Sequence, residues 1–122
     1  MTGKGVNADR RDAIATRLLA AFDGGLSLPP ITADDPSFDV AAAYDVLAEI
    51  DRRRRQRGWQ AVGRKIGFTN RGLWARYDVD RPMWATVWRE TLVDAPSGEA
   101  VYALAGAREP RIEPEMVFGI GA

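Results

Sequence analysis

No cysteine and no histidine occur among the 122 residues of the chain. Those two absences remove disulfides, thiol nucleophiles, zinc sites built on sulfur or imidazole, the Ser-His-Asp arrangement and every histidine acid–base pair. Chemistry within the chain falls to carboxylates, amines and hydroxyls, with a hard cation held by oxygen as the metal option. A run of roughly eighteen apolar residues is also lacking, so no membrane partner is expected. The first twelve residues are polar and lack the apolar centre of a signal peptide. The absence of cysteine fits a reducing compartment, and cytoplasm is the expected location.

What is present reads as globular. Hydrophobic residues make up 46% and charged residues 28%, a balance unlike that of a disordered tail. The length suits one domain of ordinary size, or one piece of a larger one.

A net charge of zero conceals segregation. Residues 1–17 hold four bases and two acids; residues 18–51 hold seven acids and no base. Residues 52–76 then hold nine bases and no acid, and the remainder four bases and eight acids. A basic block of that size attracts anions in principle. The expectation here is that it folds against the acidic block, with Arg52 to Arg57 as a solvated helix end whose cations complement the dipole. No aromatic-basic module is visible, so no nucleic-acid partner is expected.

Apolar spacing organises the first half. Ile14, Leu18 and Phe22 recur at intervals of four, predicting a helix from residue 8 or 9 to 22, with Asp9 serving its start and Gly24-Gly25 its stop. Pro29-Pro30 and Asp34-Asp35-Pro36 predict an irregular link. Val40, Ala43, Tyr44, Leu47 and Ile50 predict a second helix from residue 39 or 40 to about 57, ended by Gly58. Residues 59–68 read as a glycine-broken strand, followed by a short helix over 71–77 that Thr69-Asn70 caps. Residues 101–104 and, more clearly, 112–120 read as further strands, while Trp84, Val87 and Trp88 stay unassigned. The pattern implies an α+β fold class: a helical region over 1–58 and a β-rich region beginning at 59 and running through 122. The four tryptophans are expected in packing and interfaces.

Two segments carry chemistry. In Arg111-Ile112-Glu113-Pro114-Glu115-Met116-Val117-Phe118, the two acids are two residues apart, which on a strand puts both on one face about 6.5–7 Å apart. Carboxylate oxygens so placed suit Mg2+ or Mn2+, although an exposed, solvated strand also explains the pair. The other segment is Gly63-Arg64-Lys65-Ile66-Gly67-Phe68-Thr69. Glycines flanking Lys65 let backbone approach closely, and desolvation with nearby positive charge would lower the lysine's pKa toward proton-transfer work; a surface lysine in a basic stretch is the plainer alternative. Arg64 points to the opposite strand face, as a structural group or anion contact.

Together with Leu28-Pro29-Pro30-Ile31-Thr32, Ala43-Tyr44, Val79-Asp80-Arg81-Pro82 and Pro110-Arg111, these segments resemble the N-terminal half of the 2-keto-4-pentenoate hydratase and 4-oxalocrotonate decarboxylase family, within the fumarylacetoacetate hydrolase-like superfamily. The resemblance implies the first part of that mixed β fold. It also implies Glu113 and Glu115 as ligands of Mg2+ or Mn2+, Lys65 as the catalytic lysine, a small 2-oxo acid as substrate and a homo-oligomeric full-length protein. By the same resemblance the reaction is water addition to a 2-hydroxypenta-2,4-dienoate-like substrate. The alternatives are 4-oxalocrotonate-type decarboxylation, acylpyruvate-type carbon–carbon hydrolysis and a non-catalytic interaction fragment. Two features depart from the family pattern. Pro82-Met83-Trp84-Ala85 carries Met83 where many hydratases carry an acid. The family's third metal carboxylate would also lie beyond residue 122, so the chain is expected to be a fragment with little activity alone.

Overall fold

The computed structural model describes residues 7–121. Two long helices, α1 (Ala8–Asp23) and α3 (Val40–Gln56), flank a single turn of helix, α2 (Ile31–Asp34). A hairpin of β1 (Ala61–Gly67) and β2 (Met83–Trp88) follows, with a 3-10 turn (Arg71–Leu73) and the short α4 (Trp74–Tyr77) between its strands. A last 3-10 turn covers Arg89–Thr91. The architecture is mixed α+β, with an open antiparallel sheet of two strands among the described residues.

Both long helices begin on a side-chain cap. Asn7, not Asp9, caps α1: its side-chain oxygen accepts from the Arg10 amide at 2.8 Å. Asp9 lies within the first turn, where a carboxylate complements the helix dipole without capping. Asp39 caps α3 by accepting from the Ala42 amide at 2.8 Å. Gly58, at φ +88°, reverses the chain after α3, a conformation open to glycine at no steric cost. The α2 turn occupies the link expected to be irregular.

The helices pack through a face different from the expected stripe. Ala15, Leu19 and Ala21 of α1 and Ala42 and Val46 of α3 are buried. Ala43 is exposed, and Tyr44, Leu47 and Ile50 are only half-buried. Small alanines let the two backbones approach, and one polar residue completes the seam. Glu49 is 5% exposed and accepts from Arg52 at 2.7 and 2.8 Å and from Arg53 Nε at 2.5 Å. Arg53 in turn donates to Thr16 Oγ1 at 2.6 Å and to the Asp12 carbonyl at 3.2 Å, both on α1. Periodicity of apolar residues could not find this seam, because its centre is an ion pair.

The basic block folds back on the chain as expected. Beyond Arg53, Arg57 pairs with Asp23 at 2.8 Å. The Arg54 guanidinium lies 4.5 Å from the Phe22 ring centre and 4.6 Å from that of Trp59. Its stacking joins α1, α3 and the start of the hairpin. Trp88, 3% exposed, closes this junction, edge-on to Trp59 at 6.1 Å.

The unassigned tryptophan region is β2. In the ladder Lys65 faces Ala85, Gly67 faces Met83 and Ile66 faces Trp84, with a bulge between Ala61 and Gly63. The two later strands are not formed. Residues 101–104 and 112–120 carry no strand pairing, and Val101, Ile112, Val117 and Ile120 are each at least 90% exposed. A strand is defined by its neighbour's hydrogen bonds, and no described segment lies alongside to supply them.

Candidate active site

Sheet alternation gives the hairpin two faces with different side chains. Trp84 and Thr86, with Ile66 and Arg64 opposite them, share the face held by α3. Tyr44 Oη accepts from the Trp84 amide at 3.0 Å, and Thr86 Oγ1 donates to Asp51 at 2.5 Å. The Arg64 guanidinium stacks 4.1 Å from the Trp84 ring centre, so its role here is structural. Asp51 carried no motif, and Tyr44 entered only through the Ala43-Tyr44 segment of the resemblance and through helical spacing with Leu47. An open cavity of about 610 Å³ lies on this side, lined by Tyr44, Leu47, Asp51, Arg55 and Trp84 among others. Lys65, Glu113 and Glu115 do not line it, so this cavity and the candidate chemistry are separate.

Lys65 rises from the other face, flanked by the side-chain-free Gly63 and Gly67 and accompanied by Met83, Ala85 and Val87 across the ladder. The tail reaches this face through Glu113 and Glu115. Lys65 Nζ lies 3.4 Å from Glu113 Oε2 and donates a hydrogen bond to Glu115. The structure thus brings together all three residues singled out in the sequence, from strand and tail positions 48 and 50 apart. Two carboxylates at i and i+2 reach one ammonium because extended backbone projects both to the same side. About half of each of the Lys65 and Glu115 side chains, and two-thirds of Glu113, is open to solvent.

The electrostatics correct the expectation for Lys65. Its pKa is raised, not lowered: the hydrogen bond to Glu115 dominates, Glu113 adds to it, and desolvation opposes only in part. The basic block that was to depress it is directed elsewhere, onto Glu49, Asp23 and the aromatic rings. Lys65 is an ammonium that donates a hydrogen bond to Glu115.

Two further residues shape this edge. Phe68, directly after β1, has φ +56°, a left-handed conformation uncommon for a bulky side chain. Its carbonyl accepts from Trp74 Nε1 at 2.8 Å and its ring meets Tyr77 edge-on at 5.7 Å, contacts that hold the turn. Met83 shares the Lys65 face two positions along the ladder. The departure from the hydratase pattern therefore falls on the site's own surface.

The donor set fits a hard divalent cation: two carboxylates on one extended segment, open to water, are what a magnesium site commonly takes from protein. Among the described residues no group of three or more metal-ligating side chains is gathered.

No family model matches the chain. Single relatives do. A 4-oxalocrotonate decarboxylase from a Pseudomonas species is 33% identical over 108 residues, which cover 88% of this chain and 41% of that protein. The 4-oxalocrotonate decarboxylase of Pseudomonas sp. strain CF600 is 36% identical over 94 residues, 75% of this chain and 33% of that protein.

The chain is homologous to the 4-oxalocrotonate decarboxylases of the fumarylacetoacetate hydrolase-like superfamily.

A 2-hydroxyhexa-2,4-dienoate hydratase from Comamonas testosteroni is 29% identical over 103 residues, 84% of this chain and 38% of that protein. The solved 4-oxalocrotonate decarboxylase from Pseudomonas putida G7, complexed with calcium and acetate or with magnesium and adipate, superposes with a TM-score of 0.67 at 29% identity. The calcium complex is matched over 70% of this chain and 33% of the solved one. This chain spans 33–41% of the length of the curated relatives it matches. Among the described residues, no helix is long and apolar enough to cross a membrane.

Proposed function

We propose that the chain contributes Lys65, Glu113 and Glu115 to a metal-dependent lyase site for a small 2-oxo acid, and that the reaction is decarboxylation of a 4-oxalocrotonate-type substrate. The observation carrying this reading is the convergence of the two glutamates on Lys65 over the open face of the hairpin. The choice of reaction reverses the first expectation, in which hydration led. Both relatives above 30% identity are decarboxylases, and Met83, which cannot carry a proton, stands on the site's face.

Glu113 and Glu115 would hold Mg2+ or Mn2+, which supplies positive charge where negative charge develops on the substrate's oxygens. The chain's own groups then have defined tasks. The two carboxylates, fixed at i and i+2, orient whatever they hold toward Lys65. Lys65 Nζ donates a hydrogen bond to the substrate's oxygen anion and holds the proton that replaces the departing carboxyl group on carbon. Gly63 and Gly67, without side chains on the same face, leave room for a planar acid beside the lysine. In this reading residues 1–58 form the helical support and residues 59–122 the opening of the catalytic β-rich region.

Hydration of a 2-hydroxydienoate is the second reading, supported by the Comamonas hydratase. The two separate by product. Carbon dioxide released from 4-oxalocrotonate, with no water added to a hydroxydienoate, supports decarboxylation; the reverse supports hydration. The site assignment has its own test in Mn2+ binding to this chain: Glu113→Gln and Glu115→Gln each weaken it, and Lys65→Met does not. Unchanged affinity in both glutamine variants would remove the ligand assignment.

A further inference from the structure

The end of α1 touches the tail that carries Glu113 and Glu115. The last turn of α1 closes with the Leu26 N–H donating to the Ala21 carbonyl at 2.8 Å and the Gly25 N–H to that of Phe22 at 3.3 Å. Such a closure calls for a left-handed residue just past the helix, and Gly25 stands there at φ +60°. The Gly25 carbonyl then accepts from Arg108 Nε at 3.1 Å, across 83 residues of sequence. Beside this bond the two backbones meet. A Cβ added at Gly25 would lie 2.7 Å from the Gly106 carbonyl oxygen. A backbone oxygen cannot swing aside as a flexible side chain can, so this approach requires glycine.

We propose that Gly25 and Arg108 are positioning residues: their contact clasps the tail to the end of α1 and so holds Glu113 and Glu115 at Lys65. Arg108 stands five residues before Glu113, a reach of at most about 18 Å of extended chain. The preceding ion pair of this stretch, Arg89 with Asp94 at 3.5 Å, leaves Asp94 19 residues before Glu113. The local concentration of a tethered group falls roughly as the −3/2 power of tether length. Shortening the tether from 19 residues to five therefore raises the concentration of the two carboxylates at Lys65 about sevenfold. That the held pair serves a cation and a 2-oxo acid rests on the function proposed above; the clasp itself does not.

Substitutions separate the two tasks of Gly25. Gly25→Asn keeps a residue that tolerates the left-handed region, and with it the stop of α1, but its Cβ meets the Gly106 oxygen. Arg108→Ala removes the hydrogen bond and leaves the Gly25 turn as it is. Arg108→Lys returns an N–H donor at the same position.

The contact at Lys65 can be read directly in the full chain. A water-soluble carbodiimide joins a lysine amine to a carboxylate in contact with it, with loss of one water, and the chain has two lysines, Lys4 and Lys65. Peptide mass mapping of the unmodified chain is expected to show Lys65 joined to Glu115. Gly25→Asn and Arg108→Ala are each expected to lower that yield about sevenfold with the helical signal unchanged, and Arg108→Lys to recover it. An unaltered yield in both Gly25→Asn and Arg108→Ala overturns the clasp, as does a loss in Arg108→Ala that Arg108→Lys fails to recover. Added Mn2+ tests the ligand reading in the same experiment, because a carboxylate held by the ion is withdrawn from the reagent. A yield that depends on the clasp and ignores Mn2+ supports the positioning and removes the ligand assignment.

Discussion

Two clusters in this chain have the same ingredients and opposite fates. In the helical seam one carboxylate, Glu49, is held by two guanidiniums; on the hairpin one ammonium, Lys65, is held by two carboxylates. Glu49 is 5% exposed and its partners tie α3 to α1. The Lys65 cluster stays about half open to solvent. Burial makes the first a structural joint, because removing one member strands a charge away from water. Exposure leaves the second free to exchange its partners for a cation or a substrate, since surface ion pairs hold weakly. The same contrast separates the apolar residues: alanines, leucine and valine in the seam form a core, whereas the larger side chains of 112–120 form none.

Substitutions can break this contrast, beginning with the largest effect. Leu19→Ala removes the bulkiest buried side chain of the seam and is expected to cost about 2–5 kcal/mol by chemical denaturation, a large share of the stability of so small a core. A loss under about 1 kcal/mol would show that the seam is not where stability resides.

Glu49→Gln comes next and has a pH signature. The Arg52 and Arg53 hydrogen bonds hold the Glu49 carboxyl down at about 2, against 4.5 ordinarily. A depressed carboxyl pKa contributes stability that is complete above the unfolded value and is lost as pH falls through the folded one. The thermal midpoint is therefore expected to fall between about pH 4.5 and 2, and the glutamine variant to flatten that slope. An unchanged slope would assign the acid sensitivity to other carboxylates.

Arg54→Ala removes the stack that joins Phe22 and Trp59, with an expected loss of about 1–2 kcal/mol. Tryptophan fluorescence should shift red as Trp59 gains water; an unshifted spectrum would mean that the rings hold together without the cation.

The smallest effect belongs to the tail. Ile112→Lys, at a position 94% exposed, is expected to change stability by no more than about 0.5 kcal/mol by the same measurement. A larger loss would give residue 112 a partner within its own chain. Lys65→Met should likewise leave the thermal midpoint in place, since its pairing is at the surface.

Much of the fold was legible in order along the chain. Asp39, Gly58 and Asn70 mark starts and stops by local chemistry, and α1, α3 and β1 fall within a residue or two of their expected positions. The candidate residues Lys65, Glu113 and Glu115, singled out by spacing and resemblance, lie together in the structure. Less accessible was whatever depends on a neighbour. The seam face of α3 is set by Glu49 and Arg53, residues that periodicity counts as polar. β2 hid among tryptophans because its identity comes from pairing with β1. The expected strand over 112–120 failed for the converse reason: its alternation is strand-like, but alternation supplies no hydrogen-bonding partner.

By itself, then, the sequence determined the menu of chemistry, the positions of the helices and the three residues of the candidate site. Those properties depend on side-chain type and on contacts within a few residues, which are written into the chain directly. Tertiary structure alone decided which charge cluster is sealed and which is open, which face of α3 meets α1, and that Lys65 is an ammonium held by acids rather than a lysine depressed by bases. Burial and electrostatic environment are sums over neighbours distant in sequence. They acquire values only when the chain has folded.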